Sequence, residues 1–229
     1  MKLCIALDMP QKEENLNLLK SLDTSQEMWV KVGLRSFIRD GKDFLQSIKS
    51  INDNFKIFLD LKLYDIPNTM GDAIDEIVKL RVDMVTIHAS SGREAMKEVL
   101  NRIKNVKNPP LIMAVTALTS FDERGFSEIY NAKIEEKALA FATLTKECGI
   151  NGVVCSCFES KKIKENLGND FLTLTPAIRP FGESSGDQKR VANLEDAKEA
   201  KSDFIVVGRP IYKAENPKEM VRKILQNLN

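Results

Sequence analysis

Short apolar, β-branched runs recur along the chain at 3–8, 28–33, 56–63, 83–88, 111–116, 152–156, 171–175 and 204–208. Between them lie amphipathic stretches such as 66–80, 93–104, 134–148 and 217–228. In the first of these, Ile66, Met70, Ala73, Ile74, Ile77 and Leu80 return every three or four positions, the spacing of one helix face. Strand then helix, eight times over, predicts an α/β protein with a parallel sheet. Eight such units in 229 residues favour closure into a single (β/α)8 TIM barrel spanning 1–229. No Gly-x-Gly-x-x-Gly follows the first run, which counts against an open dinucleotide-binding sheet. Two connections exceed what a barrel requires, 117–133 and 176–192. The second is rich in Gly, Ser and Pro and follows a strand, where barrels carry lids and ligand contacts.

The polar residues inside the runs fall in register. Side chains alternate along a strand, and one set points into the barrel. Cys4, Ala6 and Asp8 share one face of the first run, against Leu3, Ile5 and Leu7. Trp29 and Lys31 oppose Val30 and Val32; Phe58, Asp60 and Lys62 oppose Leu59, Leu61 and Leu63; Thr86 and His88 can share an inward face. The aliphatic sets belong against the helices, so the charged sets point into the mouth. All sit at the C-terminal ends of their runs, where active sites of this fold lie. Two acids and two lysines can occupy one mouth only if they pair. A purely structural ion-pair network explains the pairing but not its confinement to one end. Asp65 follows Lys62 past the end of the run and need not face the same cavity. The last run ends in Gly208-Arg209, a weak anion motif in a position where barrels bind phosphate: Gly208 admits close approach to backbone N–H groups, and Arg209 offers a planar donor fork. Arg179, after the seventh run, is a second candidate. His88 reads best as a hydrogen-bonded barrel histidine.

Composition narrows the field. Lys and Arg number 34 against 33 Asp and Glu, a net charge of +1 with no basic block, so no footprint for nucleic acid is visible. The longest apolar runs are about six residues against the roughly 20 needed to span a bilayer. The N-terminus carries no secretory apolar segment, which makes the cytoplasm the expected compartment. Cys4, Cys155 and Cys157 lie in strand-like runs and Cys148 near a helix end. With one histidine in the chain and no zinc spacing at Cys155-x-Cys157, all four are expected to be buried thiols.

Taken together, these motifs resemble the orotidine 5'-phosphate decarboxylase family in its bacterial form, along the whole chain. The resemblance is carried by Ala6-Leu7-Asp8, Lys31-Val32-Gly33, Asp60-Leu61-Lys62-Leu63-Tyr64-Asp65-Ile66-Pro67-Asn68-Thr69 and Thr86-Ile87-His88-Ala89. It continues through Val115-Thr116-Ala117-Leu118-Thr119-Ser120, Thr175-Pro176-Ala177-Ile178-Arg179-Pro180, Gly186-Asp187-Gln188 and Val206-Val207-Gly208-Arg209-Pro210-Ile211. Ala177 departs from the family, which often has Gly there; the change adds only a methyl group. The resemblance implies decarboxylation of orotidine 5'-phosphate to UMP without a cofactor or metal. It implies that Lys62 is the proton donor, that Asp60 sits beside the substrate carboxylate, and that Lys31 completes the array. Asp8 and Lys31 would hold ribose hydroxyls, and Thr119 the pyrimidine edge. Arg179, Gln188, Gly208 and Arg209 would bind the 5'-phosphate under the 176–192 loop. Asp65 and Thr69 would reach into the neighbouring subunit's site in a homodimer.

Three other readings stand beside it. A metal-dependent sugar-phosphate decarboxylase or epimerase would need a second carboxylate where Lys31 stands. A Schiff-base aldolase would need a depressed pKa at Lys62, which neighbouring acids oppose. A non-catalytic phosphate-ligand barrel would have no use for a lysine flanked by acids.

Overall fold

The structure, a computed structural model, describes residues 1–22, 27–184, 186 and 189–228. Eight strands, β1 (Lys2–Ala6), β2 (Met28–Gly33), β3 (Phe55–Leu63), β4 (Met84–His88), β5 (Leu111–Val115), β6 (Gly152–Val154), β7 (Leu172–Thr175) and β8 (Phe204–Val207), pair in parallel in chain order, and β8 closes on β1. The predicted (β/α)8 barrel is the fold. Around it run α1 (Lys12–Ser21), α2 (Leu34–Ile51), α3 (Pro67–Lys79), α4 (Gly92–Ile103), α5 (Glu123–Tyr130), α6 (Ile134–Glu147), α7 (Cys157–Leu167), α8 (Leu194–Glu199), α9 (Arg209–Tyr212) and α10 (Pro217–Leu228). The 117–133 connection holds α5, whose N-terminus is capped by the Asp122 carboxylate accepting the Gly125 N–H at 2.8 Å. Among the described residues no helix is long and apolar enough to cross a membrane.

Period-two alternation sorts the side chains into two cores. Ile5, Leu7, Val30, Val32, Ile57, Leu59, Val85 and Ile87 pack outward against the helices. Each such side chain, fully buried, contributes roughly 1.5–3 kcal/mol. Cys4, Ala6, Trp29, Phe58, Met84, Met113, Leu174 and Phe204 fill the barrel interior. At its N-terminal end Trp29 and Phe204 meet edge to face at 5.1 Å, with the Lys2 ammonium 5.6 and 5.9 Å above the two rings. The interior is therefore filled from below, and the described cavity opens at the C-terminal mouth. The four cysteines are buried free thiols, as expected.

Candidate active site

A cavity of about 290 Å³ occupies that mouth. Its floor is apolar: Ala6, Phe58, Val115, Val154, Leu174 and Val206. Asp8, Lys31, Asp60 and Lys62 stand along the β1–β3 side, and Arg179, Gly208 and Arg209 along the β7–β8 side. Thr119 and Ser120 from the connection after β5 complete the wall.

The four charges form one alternating chain. Lys31 Nζ lies 3.1 Å from Asp8 Oδ1 and 3.6 Å from Asp60 Oδ2, and Lys62 Nζ lies 2.8 Å from Asp60 Oδ1. The inner members, Lys31 and Asp60, are 12% and 13% exposed, whereas Asp8 at the rim is 41% exposed. A neighbouring pair gains roughly 4 kcal/mol of Coulomb energy at 4 Å and an effective dielectric of 20, which offsets the desolvation of the inner two. Burial pushes the Asp60 carboxyl up, but the Lys31 and Lys62 charges and the hydrogen bonds from Lys62 and Thr86 outweigh it and hold Asp60 below the ordinary carboxylate value. Burial likewise opposes the charge on Lys31, and Asp8 and Asp60 overcome it, holding that ammonium above its ordinary value. Both groups are ionised throughout the neutral range.

Lys62 reaches its place by a route that alternation does not describe. Between the Leu59–Val85 and Leu63–Ile87 pairs, β3 carries three residues where β4 carries only Thr86, so the strand bulges. Lys62 takes φ 53°, in the left-handed region. Its freed N–H is accepted by the Thr86 hydroxyl at 2.9 Å, and that hydroxyl donates to Asp60 Oδ1 at 3.0 Å. Thr86 thus holds both catalytic candidates, a role its inward position in β4 hinted at but did not specify. Gly33, at the end of β2, is a second residue whose part was hidden. A Cβ built on it would lie 2.9 Å from Lys31 Nζ and 3.2 Å from Asp8 Oδ1, so the absence of a side chain is what admits that ion pair.

Arg179 is buried, and its guanidinium grips its own loop: Nε donates to the Ser184 carbonyl at 2.7 Å and Nη1 to that of Ile178 at 3.1 Å. The start and end of the 176–192 connection are joined by the Arg179 N–H donating to the Ala192 carbonyl at 2.8 Å. Arg209 lies under the same connection, against Gly186, whose φ of 63° and lack of a Cβ let the guanidinium approach. Gln188 is outside the described residues. Ala177 adopts φ 63°, so its methyl group stands on a backbone conformation that favours glycine. The departure at 177 is conformational as well as steric.

Asp65 and Thr69 are exposed and lie outside the cavity wall, beside Tyr64 and Ile66, which are 63% and 66% exposed. His88 sits below Tyr64, stacked on it at 5.6 Å, with Nδ1 accepting the Ser90 N–H at 3.3 Å. Burial and the Lys62 charge hold it below its ordinary pKa, which suits a neutral, hydrogen-bonded ring. Among the described residues no three His, Cys, Asp or Glu side chains gather as a metal site. Both oxygens of Asp60 face ammonium groups that a cation would have to displace.

Comparison with known proteins gives one answer. Residues 1–224 match the family described as Orotidine 5'-phosphate decarboxylase / HUMPS family. An orotidine 5'-phosphate decarboxylase of Nitratiruptor sp. is 63% identical over 228 residues, and one of Wolinella succinogenes 62% identical, each alignment covering both chains fully. The crystal structure of orotidine 5'-phosphate decarboxylase from Lactobacillus acidophilus superposes with a TM-score of 0.86 at 34% identity, over 100% of this chain and 99% of that one.

Proposed function

The chain belongs to the orotidine 5'-phosphate decarboxylase / HUMPS family, and on that premise we propose that it converts orotidine 5'-phosphate to UMP and CO2 in pyrimidine biosynthesis. The observation that supports this most directly is the alternating Asp8–Lys31–Asp60–Lys62 chain facing an apolar floor, with Arg179 and Arg209 across the same cavity.

The bond between ring C6 and the carboxylate breaks, CO2 leaves, and the electron pair stays on C6 in the ring plane, where the ring π system delocalises it poorly. Stabilisation must come from charge already in place. The Lys62 ammonium supplies it and then transfers its proton to C6; solvent reprotonates the amine. Asp60 keeps Lys62 aimed and sets a negative charge beside the substrate carboxylate. Lys31 and Asp8 hold the ribose hydroxyls, and Thr119 the pyrimidine edge. The barrier reduction asked of the site lies at the upper end of the roughly 8–23 kcal/mol range. Binding of the remote phosphate by Arg179, Gly208, Arg209 and Gln188, under a 176–192 lid, contributes to it by fixing the ring over Lys62. Asp65 and Thr69 serve the cavity of a second copy in a homodimer. Their exposure beside the apolar Tyr64 and Ile66 supports this.

Loss of orotate ultraviolet absorbance is the test. Purified protein mixed with orotidine 5'-phosphate and EDTA should consume the absorbance and yield UMP. A folded protein that binds UMP and leaves the absorbance unchanged would overturn the reading.

A further inference from the structure

One buried cation has no part in the chemistry above. Arg190 stands at the descending end of the 176–192 connection and outside the cavity wall. Its side chain is 14% exposed, and that of its ion-pair partner Glu159 only 5%. Two segments converge on this guanidinium, the start of α7 and the connection after β5. Nη1 donates to Glu159 Oε1 and, at 3.3 Å, to Ser156 Oγ at the start of α7; Nη2 donates to the Leu118 carbonyl at 3.2 Å. Nε is buried without a partner among the described residues. The second oxygen of Glu159 is also committed, accepting the Ser156 N–H at 2.6 Å in the capping box of α7. Desolvating a cation against a helix cap is costly. What the arrangement gives is a fixed direction, because a planar fork shared among three acceptors has one orientation.

The neighbouring residue makes the same connection. The Lys189 N–H donates to the Thr119 carbonyl at 3.4 Å, and Lys189 Nζ pairs with Asp122 at 2.6 Å. Residues 189–190 are thereby tied to 118–122, the segment that brings Thr119 to the cavity. At the other end of the loop, Arg179 and Gly186 meet the phosphate side.

We propose that Arg190, paired with Glu159, is a positioning residue: it pins the 176–192 loop to the connection after β5, so that Thr119 and the phosphate-facing arginines are held in one arrangement around the substrate. This rests on the phosphate subsite proposed above.

Arg190→Met keeps the stem and removes the fork, but leaves Glu159 buried and unpaired. The double variant Arg190→Met/Glu159→Gln removes that stranded charge and keeps an acceptor for the capping box, so its thermal midpoint should return close to wild type. Its kcat/KM for orotidine 5'-phosphate should stay low, by on the order of 100-fold. The loss should fall mainly in KM and be clearly larger for UMP affinity than for uridine, which keeps the Thr119 contact but has no phosphate. Arg190→Lys should rescue little, since an ammonium cannot span the three acceptors. A double variant with wild-type kcat/KM overturns the proposal. So does one that loses stability and activity in step, or one that weakens uridine as much as UMP. Wild type is assayed first: its failure to decarboxylate would sink the proposed function itself, whereas the Arg190 proposal fails only in the variants.

Discussion

The hydroxyl of Thr86 accepts the backbone N–H of Lys62 at 2.9 Å, across a bulge that leaves that N–H outside the regular strand ladder. The same hydroxyl donates to Asp60. Thr86→Val keeps the shape and removes both bonds. It should cost about 1–3 kcal/mol in urea-melt stability, through the unmatched N–H and carboxylate. It should also lower kcat on the order of 100-fold by letting Lys62 drift. Thr86→Ser should retain activity. Wild-type kcat in the valine variant would mean that the bulge holds itself.

Lys62→Ala is expected to abolish turnover while UMP still binds by calorimetry, because Asp60 keeps Lys31 as a partner at 3.6 Å. Turnover within tenfold of wild type would remove Lys62 from its role as proton donor.

Gly33→Ala separates function from fold. The new Cβ meets the mobile ends of Lys31 and Asp8 rather than backbone. The barrel should therefore lose less than about 1 kcal/mol, since the colliding side chains can swing aside. The ion pair cannot stay where it is, so KM for orotidine 5'-phosphate should rise at least tenfold. An unchanged KM would show that the ribose contacts do not depend on that pair.

Much of this site is legible in the sequence. Simple alternation puts Asp8, Lys31 and Asp60 inward, because each stands two residues after another inward side chain in an otherwise aliphatic run. Its position past the end of β3 sets Asp65 apart. Other features leave no trace in a single sequence. The bulge before Leu63 keeps Lys62 on the expected side by a different backbone path. The Arg190–Glu159 pair joins residues 31 positions apart through a loop with no periodicity. Gly33 matters because of two side chains belonging to other segments, and Ala177 because of a dihedral angle.

His88 is the chain's only histidine, which makes its proton linkage readable. Its folded pKa is depressed below the ordinary 6.5 by burial and by Lys62. As pH falls below 6.5 the unfolded chain takes up a proton that the folded one does not, so stability should decline with acidity until the folded pKa is passed. Urea midpoints at pH 7.5 and 5.5 should differ in wild type and coincide in His88→Gln. An equal difference in both would assign the slope to other groups.

Ala177→Gly should stabilise the protein. A left-handed backbone costs a Cβ-bearing residue roughly 1–2 kcal/mol, and glycine's extra freedom when unfolded returns about half of that, for a net gain of about 0.5–1 kcal/mol. Thermal melts would measure it, and a lower midpoint would show that the methyl packs better than its dihedral suggests.

The edge-to-face rings of Trp29 and Phe204, with Lys2 above them, fill the barrel at its N-terminal end, and the described cavity opens at the other. On the proposed reaction, substrate enters, UMP departs and carbon dioxide escapes through that mouth, which Pro176, Ala177 and Arg179 border. The three passages cannot be separated in space, so they must be separated in time. If the 176–192 connection closes over the phosphate as proposed, each cycle needs it to part and settle again, and its pace then sets a ceiling on turnover that no improvement in the chemistry at Lys62 can raise.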